Sequence, residues 1–224
     1  MAFAEKSQEA GFQVEISSQH DQSQDAPQKS GKMFESAQLA LHCLGLLCGF
    51  VVLGTSASTA SVFNSTNLSS DFDLPLWPED FDMRPTNALI AGGVLVVLSN
   101  LVALVFAHIR MLRDKRTVHC LVDVAAPTIG FVSIFVAIVL FYAVNASTTT
   151  DTIQSWSCQW DFTTMNVKPY FSSVCKESKT ALYLSIILIP VELAAVALAT
   201  RRLLLHKKSQ LNQKASRSSS PSIA

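Results

Sequence analysis

The chain has 224 residues, 49% of them hydrophobic and 15% charged, and its 17 Lys and Arg balance 17 Asp and Glu. Zero net charge without a basic stripe excludes nucleic acid as a partner. The apolar residues gather into four runs, 38–57, 87–112, 121–144 and 180–205, each holding roughly the 20 residues a helix needs to cross a hydrocarbon core about 30 Å thick. The expected fold is therefore an all-α integral membrane protein, a four-transmembrane-helix bundle over 36–206, with outer loops at 58–86 and 145–179.

Residues 1–35 are polar, rich in Gln, Ser, Glu and Lys, and lack the apolar core of a cleaved signal peptide. Such a head buries too little apolar area to fold and is expected to be disordered, leaving the first span as the targeting signal. Ala2 in place of Gly excludes myristoylation. Within the first span, Gly45-Leu-Leu-Cys-Gly49 is a GxxxG motif, which lets helix backbones approach closely in lipid. His42, about one turn into this span, reads as a packing residue. Cys43 and Cys48 lie too deep for easy acylation.

The loop 58–86 is acidic, with Asp71, Asp73, Glu79, Asp80 and Asp82 against Arg84, and carries glycosylation sequons at Asn64 and Asn67. Leu74-Pro-Leu-Trp-Pro78 reads as an extended, proline-broken segment with Trp77 at headgroup level. The second span holds Asn100 and is followed by Arg110, Arg113, Lys115 and Arg116; beside them Cys120, at the membrane edge, is a palmitoylation candidate. Asp123 is expected in the first turn of the third span, where the positive helix end and Arg201, Arg202 or Arg110 would offset its charge. Ala126-Pro-Thr-Ile-Gly130 repeats the small-xxx-small pattern.

The loop 145–179 opens on a third sequon, Asn145, set so near the membrane that the glycosylation machinery would reach it poorly. Trp156, Cys158 and Trp160 alternate, which fits a short strand with both tryptophans on one face. Cys158 and Cys175 are the preferred disulfide pair in an oxidising compartment, with free thiols as the alternative. Closing that loop would contribute about 3 kcal/mol in the chain-entropy account. This loop is expected to hold the extramembrane structure by itself, its aromatic side chains packing on the outer membrane surface.

In the fourth span Glu192 follows Pro190 by two positions. Counted inward from the outer helix ends, Asn100 and Glu192 reach similar depths, so they are expected to hydrogen-bond. An acid inside a membrane is a functional-site candidate by default. Desolvation favours its neutral form, so Glu192 is expected to donate to Asn100, first as a structural clamp and second as a proton- or cation-handling site. The tail 207–224 is basic, with Lys207, Lys208, Lys214 and Arg217, and is expected to be disordered against anionic lipid. Ser218, Ser219, Ser220 and Pro221 form a candidate phosphorylation patch.

The basic residues flank the second-to-third connection and the tail, so the positive-inside bias places both in the cytoplasm, and an even span count puts the N-terminus there as well. The sequons and the cysteine pair then fall on the opposite side. A His-Glu-x-x-His pair, a Gly-x-Ser-x-Gly elbow and a phosphate-cradling glycine loop are all missing from the sequence, so neither catalysis nor a cofactor is expected. The expected partners are the lipid bilayer, anionic lipids at the tail, and other membrane proteins or further copies of the chain, in the plasma membrane or an endomembrane.

Four spans, an Asp near the start of the third, and an outer loop carrying Trp156, Cys158, Phe171 and Cys175 resemble the MARVEL-type tetraspan group, which includes the Casparian-strip membrane proteins of plants and related fungal integral membrane proteins. The likeness runs over about Ser36 to His206. It implies membrane-domain organisation or scaffolding, with Asp123 as the acidic residue of the third span and Cys158 and Cys175 as the outer-loop pair. The chain departs from the plant members in having no basic residue in its first span. The function expected from all this is a lateral organiser or accessory subunit; a small transporter or channel subunit using Glu192 and Asn100 is the alternative.

Overall fold

The computed structural model describes residues 25–67, 77–78, 80–108, 116–146, 150–162 and 168–218. The chain divides into two units, Met1–Gln38 and Leu39–Ala224, and the packing described below belongs to the second. Its elements are α1 (Asp25–Thr66), β1 (Phe81–Asp82), α2 (Arg84–His108), α3 (Arg116–Asn145), β2 (Asp151–Thr152), α4 (Ile153–Gln159) and α5 (Phe171–Ser218). Among the described residues, α1, α2, α3 and α5 each contain a stretch long and apolar enough to cross a membrane.

The helices meet through small residues, because without water to drive apolar faces together a bundle in lipid gains most from close backbone approach. A methyl group on Gly49 would sit 3.1 Å from Val96 and Val97, one on Gly93 3.3 Å from Leu53, and one on Gly92 3.0 Å from Ala137. All four long helices contribute to one buried cluster of Val52, Val96, Ile134, Ile138 and Leu188. A second cluster joins Leu89, Ala137, Phe141, Ala181 and Leu182. The opposite faces expose Leu47, Phe50, Leu98, Phe135 and Ile187, an arrangement that water would penalise and hydrocarbon would not.

The helices outrun the expected spans. α1 begins at Asp25, inside the head expected to be disordered, and continues to Thr66, well into the expected first outer loop. α5 starts at Phe171 and extends to Ser218, so residues 207–218 of the expected disordered tail are helical. Once a helix is nucleated, each added residue gains one hydrogen bond for one residue fixed, and polar flanks rich in Gln, Lys and Ala extend it readily. The rest of the head, residues 1–24, and Ser219, Ser220 and Pro221 lie outside the described residues.

At one end of the bundle the two connections expected to be outer loops build a single small domain, called the outer domain below. β1 and β2 pair in parallel, Phe81 beside Asp151 and Asp82 beside Thr152, which ties the first loop to the second. Above the helices Phe63, Trp77, Ile153, Phe171 and Val174 form a buried core. Trp77 lies 5.0 Å from Phe63, 5.3 Å from Phe81 and 5.6 Å from Phe171, edge to face with each, a geometry favoured by the ring quadrupoles. Its indole nitrogen donates to Thr66 Oγ1 at 3.1 Å. Trp77 is therefore a core residue rather than an interfacial anchor, and the second loop does not hold the extramembrane structure alone.

Trp156 and Cys158 lie in helix α4 rather than in a strand, and Trp160 caps its C-terminal end. Thr152 caps it, accepting from the Ser155 amide while Ser155 Oγ accepts from the Thr152 amide at 2.8 Å, and this reciprocal box starts a helix that one alternation could not outweigh. The disulfide Cys158–Cys175, with Cα atoms 4.9 Å apart, fastens α4 to the first turns of α5.

Candidate functional site

Asn100 of α2 is completely enclosed and offers both ends of its amide to neighbouring helices. Its Nδ2 donates to Glu192 Oε1 of α5 at 2.6 Å and to the Val96 carbonyl at 3.0 Å. Its Oδ1 accepts from Nδ1 of His42, on α1, at 2.8 Å. The polarity is opposite to the expected donation from Glu192 to Asn100: the amide oxygen faces the His42 ring and the amide nitrogen donates to the carboxyl group. These residues are 1% (Asn100, Glu192) and 4% (His42) exposed, a depth at which each needs partners.

Glycines make the room. A methyl group on Gly45, one turn beyond His42 on α1, would lie 3.0 and 3.1 Å from the Asn100 amide atoms and 3.1 Å from Glu192 Oε1. One on Gly130 of α3 would lie 3.0 Å from Glu192 Cδ and 3.1 Å from both carboxyl oxygens. The two small-residue motifs of the sequence therefore converge on one carboxyl group, and all four long helices border it. Two lone positions persist: Glu192 Oε2 and His42 Nε2 are buried with no hydrogen-bond partner among the described residues. Pro190 also frees a carbonyl, that of Ile186, one turn away on α5.

His42 is the member that sequence reasoning assigned to packing. Its partner stands 58 residues away, and the pairing depends on α1 presenting the ring and Gly45 to the same neighbour. That spacing of three, His42 to Gly45, was the available signal.

Asp123 lies two turns inside α3, since the helix begins at Arg116 rather than at the apolar boundary. The helix-end field fades within the first turn, so it is the Arg202 guanidinium, 3.5 Å from Asp123 Oδ2, that answers the charge. Ala126 is buried on the same helix. The side chain of Cys120 lies outside the described residues. Cys43 and Cys48 are free thiols, exposed and half-buried respectively.

In the outer domain Asn64 and Asn67 are exposed. Asn145 is engaged at both ends of its amide, Nδ2 donating to Gln154 Oε1 at 3.1 Å and Oδ1 accepting from Thr152 Oγ1 at 2.6 Å. It joins the end of α3 to the start of α4. Trp160, Phe162 and Tyr170 of this domain are exposed, with the Trp160 and Phe162 rings 6.1 Å apart.

A family model for a domain of unknown function (DUF8762) matches residues 3–217, which takes in the bundle, the outer domain and both flanks. No curated protein and no solved structure matches the chain.

Proposed function

Starting from the premise that this chain belongs to the family of the domain of unknown function DUF8762, we propose that it is a non-enzymatic four-span membrane protein that organises or accompanies other membrane proteins. Both termini face the cytoplasm in this reading, and the outer domain with Asn64 and Asn67 faces the lumen or the exterior. The basic residues near the tail and the clustering of both sequons and the disulfide at one end of the bundle support that orientation.

The observation that carries the proposal is the outer domain itself. It draws its core from both loops, is closed by a disulfide, and turns Trp160, Phe162 and Tyr170 outward, which suits a rigid platform presented to neighbours. The MARVEL-type resemblance points to the same class. Gentle solubilisation followed by affinity purification tests it. Co-purifying membrane proteins that are lost in the Trp160→Ala, Phe162→Ala double variant are the expected result; single-particle tracking that finds only freely diffusing monomers overturns it.

A transporter or channel subunit is the second reading, favoured by the two unpartnered buried atoms of Glu192 and His42. Flux in liposomes decides it, since Glu192→Gln would assemble normally and abolish transport only if this reading holds.

A further inference from the structure

Glu192 is an acid walled in by helices and, among the described residues, no Lys or Arg is paired with it. A lone buried carboxylate is costly in an apolar medium, so its charge is offset either by a proton of its own or by a cation nearby. The titratable group that faces it is His42, across Asn100. The other elements packed on the carboxyl contribute Gly45 and Gly130. Elsewhere on these helices Cys48 lies three residues beyond Gly45, and Asp123 is paired with Arg202.

The hydrogen bonds leave one free atom at each end of the cluster, Oε2 of Glu192 and Nε2 of His42. Asn100 is oriented with its oxygen toward the imidazole and its nitrogen toward the carboxyl group. That amide dipole suits a neutral pair and suits an imidazolium facing a carboxylate even better, with no atom of Asn100 needing to turn.

We propose that His42, Asn100 and Glu192 form an intramembrane proton-binding site that holds one proton, at Oε2 of Glu192 or at Nε2 of His42, the two atoms standing at opposite ends of the cluster and coupled through the Asn100 amide. The two forms are a neutral acid with a neutral imidazole and a carboxylate with an imidazolium; they interconvert by release of the proton from the O–H bond at one end and uptake of a proton into an N–H bond at Nε2 at the other, with no direct transfer across Asn100. The net charge of the cluster is zero in both forms. Asn100 is a positioning residue: it fixes His42 as the Nδ1-protonated ring, so that Nε2 is the free acceptor. The site goes beyond the organising role proposed above and stands or falls independently of it.

Two groups sharing one proton titrate as a unit, with midpoints that belong to the pair. The test uses the full-length protein in lipid nanodiscs, titrated from about pH 4 to about pH 9, a range that brackets histidine and carboxyl chemistry. Infrared spectra follow the protonated-carboxyl stretch of Glu192, assigned by its loss in Glu192→Gln; nitrogen magnetic resonance follows Nε2 of His42, assigned by its loss in His42→Gln. Both signals are expected to change with the same midpoint, and His42→Gln is expected to move the Glu192 midpoint by about one pH unit or more, a tenfold change in proton affinity. Separate midpoints, a group that titrates while the other stays constant, or no titration of either overturn the proposal. Should Glu192→Gln fail to assemble, selective isotope labelling of glutamate in the wild-type protein assigns the band, and coincidence of the two wild-type midpoints decides.

Discussion

A methyl group added at Gly130 would meet the Glu192 carboxyl group at 3.0–3.1 Å on three of its atoms, and one added at Gly54 would meet nothing within 4 Å. Gly130→Ala is therefore expected to lower stability by about 1–3 kcal/mol through overpacking, whereas Gly54→Ala should leave it unchanged or raise it by up to about 1 kcal/mol through helix propensity. Thermal unfolding of the two variants in the same detergent makes the comparison. Asn100→Leu removes the partner of His42 Nδ1 and Glu192 Oε1 together, and stranding each buried group costs about 1–3 kcal/mol; a fall in the unfolding midpoint larger than that of Gly130→Ala is expected. The Asn100 and Glu192 contact was legible because helix rise fixes depth from sequence. The direction of its hydrogen bond was not, because the amide oxygen faces His42, which comes from a helix whose rotation the apolar pattern leaves open.

The disulfide and the aromatic core carry the outer domain at the level of elements. Cys158→Ser and Cys175→Ser should each cost about 3 kcal/mol by releasing a loop of 17 residues, and the double variant should cost no more than either alone, since both remove one bond. Limited proteolysis of the outer domain measures it. Phe63→Ala, which empties the ring cluster around Trp77, should cost about 3–5 kcal/mol in that domain; faster cleavage of the loops with the long helices still protected is the expected pattern. Here the sequence was only partly readable. The cysteine pair stood out by compartment and spacing, but α4 is seven residues long, too short for periodicity to separate it from a strand, and its start depends on the Thr152 and Ser155 box. Trp77 read as an interfacial residue because its ring partners, Phe63, Phe81 and Phe171, come from three separate stretches of chain.

For the whole molecule, runs of apolar residues long enough to cross hydrocarbon are a signal that tertiary contacts scarcely alter, and four helices appear where four runs stand. Their ends were less legible, since a helix already held in a bundle extends into polar flanks without an apolar mark. The proposed orientation yields a direct expectation: Asn64→Gln or Asn67→Gln removes a glycan and speeds gel migration, while Asn145→Gln changes nothing, because its amide is already bound to Gln154 and Thr152. A glycan found on Asn145 would contradict the geometry of that junction. The shared core of the outer domain also bears on biogenesis. Trp77 and Phe81 emerge from the ribosome long before Phe171 and Val174, yet the four side chains finish one interior, so a nascent chain halted after α3 displays a half-built aromatic surface. Only the arrival of the last helix covers it, so the outer domain can close no earlier than the bundle itself.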